Sequence, residues 1–136
     1  MKKLIFLFFL FLPSISIFAQ YTLKVEITGL RNNTGDILYE LFDQNHKSLK
    51  VGNEIISDKK SVIVLDNLKA GKYGFNYIHD ENMNKKLDTK MLLIPKEGFG
   101  YSNNVAVKFG PPKFEKWLFE VKENTDLNLK ITYLNY

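Results

Sequence analysis

SVIVLDNLKAGKYGFNYIH, residues 61–79, holds two apolar segments and the short connection between them. Ser61–Leu65 is rich in β-branched residues, which suit a pleated, half-buried strand better than a helix. Asp66–Gly71 is turn chemistry and reads as a tight connection. Over Lys72–His79, Tyr73, Phe75 and Tyr77 alternate with Gly74, Asn76 and Ile78. That is the two-residue period of a strand with one face toward a core.

The same period recurs outward in both directions. Tyr21, Leu23, Val25 and Ile27 alternate with Thr22, Lys24, Glu26 and Thr28. After the turn residues Gly29–Gly35, Asp36–Phe42 repeats the pattern through Ile37, Tyr39 and Leu41. Trp117–Val121 alternates, as does Leu127–Tyr133, where Leu127, Leu129, Ile131 and Tyr133 share the apolar face. Val105–Phe109 reads as a further strand ended by Gly110-Pro111-Pro112. Asp43–Lys60 is mostly polar with isolated apolar points, and reads as a loop with at most one short edge strand or helical turn. Met91–Ile94 is a short apolar piece before Pro95, and Glu97–Gly100 reads as a Gly-rich turn. About seven strands at this spacing, without a 3.6-residue period, predict an all-β chain folded as a single β-sandwich.

At the N-terminus, Lys2 and Lys3 precede an unbroken apolar run, Leu4–Leu12, then Pro13-Ser14 and a small residue, Ala19. This is the layout of a signal peptide cleaved after Ala19. The run is shorter than the roughly 20 residues of a membrane span. The expectation is therefore a leader over 1–19, a sandwich domain over 20–136, and an exported protein, periplasmic or secreted, with no membrane span after cleavage. The chain has no Cys, so neither a Cys-linked lipid nor a disulfide holds it. Its net charge of +4 becomes +2 without Lys2 and Lys3, and the remaining Lys are interspersed with Asp and Glu. No basic stripe carries interleaved aromatics, which argues against nucleic acid.

Asn67-Leu68-Lys69-Ala70-Gly71-Lys72-Tyr73-Gly74-Phe75 resembles the turn and strand of transthyretin-like and Ig-like sandwiches, where the Gly makes the turn and the Tyr starts the next strand inward. Four further segments fall in order: His79-Asp80-Glu81-Asn82; Leu87-Asp88-Thr89; Ile94-Pro95-Lys96-Glu97-Gly98-Phe99-Gly100-Tyr101-Ser102-Asn103-Asn104; and Gly110-Pro111-Pro112-Lys113-Phe114. Together they resemble the bacterial domain-of-unknown-function 2141 family, over essentially the whole chain beyond the leader. The resemblance implies an exported bacterial β-sandwich and no known activity.

The segment from His79 to Gly100 is the candidate site. Asp80, Asn82 and Asn84 stand at positions 1, 3 and 5 of a calcium-loop pattern, Lys86 would offer a backbone carbonyl at position 7, and Asp88 an acid at position 9. Lys85 replaces the Gly of position 6, and Met91 the bidentate Glu of position 12, with Glu97 as a late ligand that could fold back. Two sure carboxylates suit a Ca²⁺ affinity of about 10⁻⁴–10⁻³ M. The plainer reading, which these departures favour, is that the Asp and Asn side chains make Asx-turns in a long polar hairpin.

A hydrolase would use His79 as base and Ser102 as nucleophile. Gly100-Tyr101-Ser102-Asn103-Asn104 has the first half of a nucleophile elbow but lacks its second Gly and its strand–turn–helix setting. The expectation is a non-catalytic binding or structural module. Phe99, Tyr101, Phe109, Phe114 and Trp117 would offer a protein or glycan partner a platform if exposed, and default to core otherwise. His46, isolated among polar residues, reads as solvated. Two His and no Cys argue against structural zinc.

Overall fold

Eight strands form among the described residues, most of them where two-residue alternation lets one face reach a common core. They are β1 (Gln20–Thr28), β2 (Asp36–Asp43), β3 (Ser48–Ile55), β4 (Ser61–Lys69), β5 (Gly71–Asp80), β6 (Gly98–Tyr101), β7 (Leu118–Val121) and β8 (Thr125–Lys130). The computed structural model describes residues 19–91, 94–108 and 110–134. The apolar run Leu4–Leu12, Leu92, Leu93 and Phe109 lie outside the described residues. Among these residues no helix is long and apolar enough to cross a membrane.

The strands make two sheets, ordered β4-β1-β8 and β3-β2-β5-β6, with β7 also pairing β5. Between them Leu23, Val25, Ile27, Ile37, Leu41, Ile63, Leu65, Phe75, Tyr77 and Val121 are buried completely or nearly so. This is the predicted sandwich. β1 and β8 run parallel, with Val25 beside Leu127 and Ile27 beside Leu129, so the first and last strands close the smaller sheet together.

Four local expectations change. The polar stretch after Asp43 contains an eight-residue edge strand, β3, paired among the described residues only with β2. Its outer face is exposed, so packing placed little demand on its composition. Asp66-Asn67 is a bulge rather than part of a turn: β4 continues to Lys69, the register against β1 shifts there, and Asn67 has φ 63°. The Gly-rich Glu97–Gly100 is mostly strand β6. A Cβ at Gly98 would meet Tyr133 and Ile131, and one at Gly100 would overlap the Tyr77 ring, so the glycines there serve close packing.

Val105–Val107 carries no strand. The chain turns at Asn103 and Asn104, both at positive φ, and the Asn104 side chain takes the place of a neighbouring strand on β8. It accepts from the Lys130 N–H (2.8 Å) and donates to the Asn128 carbonyl (3.1 Å).

On its far side the larger sheet carries a second, aromatic cluster. Trp117, buried, lies edge-on to Phe42 and Phe114, and a Cβ at Gly74 would meet both Phe114 and Trp117. Phe99 is also buried. His46 is not a free solvated side chain: although exposed, it stacks on Phe114 at 4.1 Å between ring centroids.

Candidate functional site

β5 delivers His79 and Asp80 to one end of the sandwich, where the β1–β2 turn, the 81–97 loop and residues 131–133 meet. The pleat sends successive side chains to opposite faces. His79 points inward and is fully buried. Its Nε2 donates to the Thr34 carbonyl (2.7 Å), since a carbonyl only accepts. Its Nδ1 lies 2.7 Å from the Tyr133 hydroxyl, which accepts in turn from the Arg31 N–H (3.2 Å). Both ring nitrogens are therefore bound to structural partners.

Ser102 is equally occupied. β6 pairs with Asn76–His79 and β7 with Gly71–Gly74 along the same edge of β5, leaving Phe75 between them. The buried Ser102 Oγ accepts from the Phe75 N–H (3.1 Å) and donates to the Trp117 carbonyl. It bridges the gap in the ladder. His79 and Ser102 are not hydrogen bonded to each other. Their contacts on β5 are four residues apart, about 13 Å along an extended strand.

Asp80, only 1% exposed, turns its carboxylate into the loop that follows. It accepts from the Asn84 N–H (3.1 Å) and the Lys85 N–H (2.7 Å). Lys85 has φ 63°, so it makes the sharp turn for which a calcium loop uses Gly. Asn82 and Asn84 accept from the backbone two residues ahead, as Asx-turns do. Their side-chain amides converge on Asp88: Asn82 Nδ2 at 2.6 Å and Asn84 Nδ2 at 3.0 Å from each carboxylate oxygen. These hydrogen bonds hold the Asp88 carboxyl below the usual carboxylate range.

The structure thus brings Asp80, Asn82, Asn84 and Asp88 together. Lys86 takes part through its N–H, which donates to Asn84 Oδ1 at 3.1 Å. Among the described residues no three His, Asp or Glu side chains gather around one point. Any ion here would need the oxygens of Asn82 and Asn84, which a half-turn of each amide would present in place of nitrogen.

Glu97 does fold back, onto the loop's backbone. Its carboxylate, 4% exposed, accepts from the Glu81 N–H through Oε1 and the Asp88 N–H through Oε2, both at 2.9 Å. One side chain pins both ends of the loop. Outside this pin, Arg31 holds Glu81 with Nε (2.9 Å) and Nη2, and Asn32 Nδ2 adds a third donor (2.7 Å). The Arg31 guanidinium lies over the Tyr133 ring at 4.7 Å. The hydrogen bonds from Arg31, then Asn32, lower the Glu81 pKa, and Glu81 raises that of Arg31 in return.

A carboxyl whose pKa is depressed by folding stabilises the protein above the ordinary carboxylate range, and that contribution disappears as pH falls through the folded value. Melting temperature is therefore expected to drop below about pH 4. Arg31→Ala should make that drop shallower in a series of melts from pH 6 to pH 2.5; an unchanged profile would exclude Glu81 as a contributor.

Sequence reading missed the Arg31–Glu81 pair, fifty positions apart, and the Thr34–His79–Tyr133 chain. No local motif signals either. The Glu97 anchor had one cue, a lone acid at the end of the polar segment.

A model of the family described as "Uncharacterized protein conserved in bacteria (DUF2141)" matches residues 25–128. No curated protein matches the chain.

Proposed function

The chain belongs to this family of uncharacterized bacterial proteins, and from that premise we propose that it is an exported, non-catalytic β-sandwich serving as a binding or structural module, whose 80–88 loop takes a Ca²⁺ ion weakly. The observation that carries the calcium reading is the buried Asp80 carboxylate at position 1, receiving the N–H groups of positions 5 and 6 while Lys85 makes the sharp turn. Asp80, Asn82, Asn84 and Asp88 would hold the ion through side-chain oxygens, and Lys86 through its carbonyl. The ion would add cross-links within the loop and no reaction chemistry. Without it, the amides of Asn82 and Asn84 already satisfy Asp88, so binding competes with a closed network and is weak.

At an affinity near 0.5 mM, 5 mM Ca²⁺ would stabilise the fold by about 1.4 kcal/mol through mass action. That corresponds to a melting shift of roughly 5 °C. Asp88→Asn should lower the calcium-free melting temperature slightly, because its amide nitrogen cannot accept from the Asn82 and Asn84 amides, and should lose most of the shift. Absence of any Ca²⁺-dependent shift in the wild-type chain rejects the ion.

Non-catalytic function is supported by the complete use of His79 and Ser102 in structural hydrogen bonds. Export is supported by the leader pattern over 1–19. N-terminal sequencing of the protein recovered from fractionated cells should begin at Gln20; a chain starting at Met1 in the cytoplasm would reject export.

A further inference from the structure

Strand β3 is an open edge of the five-stranded sheet, since β2 is its only partner strand among the described residues. Its outward side chains are unusually apolar for so exposed a strand: Leu49 is 48% exposed, and Val51 and Ile55 are each 70% exposed. Edges that must stay single carry proline, repeated charge or a central bulge. Ser48–Ile55 contains no proline, and its only irregularity against β2 lies at the Ser48 end. Two charges remain, Lys50 and Glu54, and neither forms an ion pair within the chain among the described residues.

Their spacing is symmetric about Gly52. If two β3 strands lie antiparallel with Gly52 facing Gly52, facing residues are those whose numbers sum to 104. Lys50 then faces Glu54 of the second copy, and Glu54 faces its Lys50. Val51 meets Asn53 on the outer face, and Leu49, the residue that the β2 register skips, lies opposite Ile55. Every contact occurs twice, as a two-fold interface requires. Opposite charges directly across a strand pair stabilise it, and like charges destabilise it. Registers that bring Lys50 onto Lys50 are therefore disfavoured, and the charges that guard the edge also select one pairing. Asn53 lies in a row with Leu38, Ile78 and Phe99 across the sheet. Val51 of the second copy would continue that row beyond Asn53.

We propose that β3 is the self-pairing edge of a symmetric homodimer, joining two five-stranded sheets antiparallel about a two-fold axis at Gly52. The test is the self-association of the product of the full-length chain, measured by analytical ultracentrifugation from micromolar concentrations to about 1 mM, the weak limit of specific association. Lys50→Glu and Glu54→Lys should each weaken the dimer about tenfold or more, because each variant turns two attractive pairs into two repulsive ones. The double variant Lys50→Glu/Glu54→Lys should restore it. Both positions are on the surface, and circular dichroism checks that each variant keeps its fold.

Because the chain has no Cys, Val51→Cys/Asn53→Cys offers a second readout. It should form a disulfide-linked dimer on mild oxidation, while each single cysteine variant does not. A chain that stays monomeric throughout the range overturns the proposal. So does a dimer indifferent to the charge reversals, which would place the contact on another face.

Discussion

Glu97→Ala is expected to lower the melting temperature by roughly 10–20 °C, a loss of about 3 kcal/mol. The carboxylate is buried and each oxygen accepts one backbone N–H, from Glu81 and from Asp88. Truncation leaves two donors without an acceptor at opposite ends of one loop. Hydrogen bonds to a charged group contribute about 1.5–3 kcal/mol each, and relief from burying the charge offsets part of their loss. Glu97→Gln should fall between wild type and alanine, because its amide nitrogen cannot accept from the second N–H. Hydrogen exchange at the Glu81 and Asp88 amides gives the local check. If both amides exchange at wild-type rates in Glu97→Ala, the pin is not what orders the loop.

The second large effect is at Gly35. Its φ is +74°, and a Cβ there would overlap the Asp80 carbonyl oxygen and crowd the Glu81 backbone. Gly35→Ala therefore combines a left-handed strain with a collision against backbone that belongs to a paired strand. A cost of about 4 kcal/mol is expected, a large part of the 5–15 kcal/mol that holds a domain of this kind together. Gly110→Ala provides the contrast. Gly110 has a similar φ of +68° but nothing near its missing Cβ, so it should cost only about 1 kcal/mol of conformational strain. Thermal melts of the two variants separate strain from collision; equal losses would show that the Gly35–Asp80 contact is not tight.

These two effects differ in how far they can be seen without the fold. Glu97 is visible as a lone acid after a polar segment, but its partners are backbone groups, which every residue carries and no motif marks. Gly35 looks like one more turn glycine. Its special demand comes from Asp80, forty-five positions later, brought close only because β2 pairs with β5. The strand β3 was hidden for the opposite reason: an edge strand with an exposed outer face needs no continuous apolar alternation, so Leu49, Val51 and Ile55 looked isolated. Val105–Phe109 had strand composition, yet the Asn104 side chain occupies the edge of β8 beside it.

His79, Ser102 and the 80–88 loop show the same division. Residue types and spacing alone brought out Asp80, Asn82, Asn84 and Asp88 as one group, because contacts within a short loop are local and its spacing records them. They also established an all-β sandwich, since a two-residue period admits little else. Only the tertiary structure decided that β1 and β8 run side by side, that Ser102 fills the break between β6 and β7, that His79 is bound between Thr34 and Tyr133, and that Arg31 holds Glu81. Each of these joins groups separated by tens of residues. Their energies come from burial and hydrogen bonding across elements, and a linear sequence lists those groups without saying which will meet.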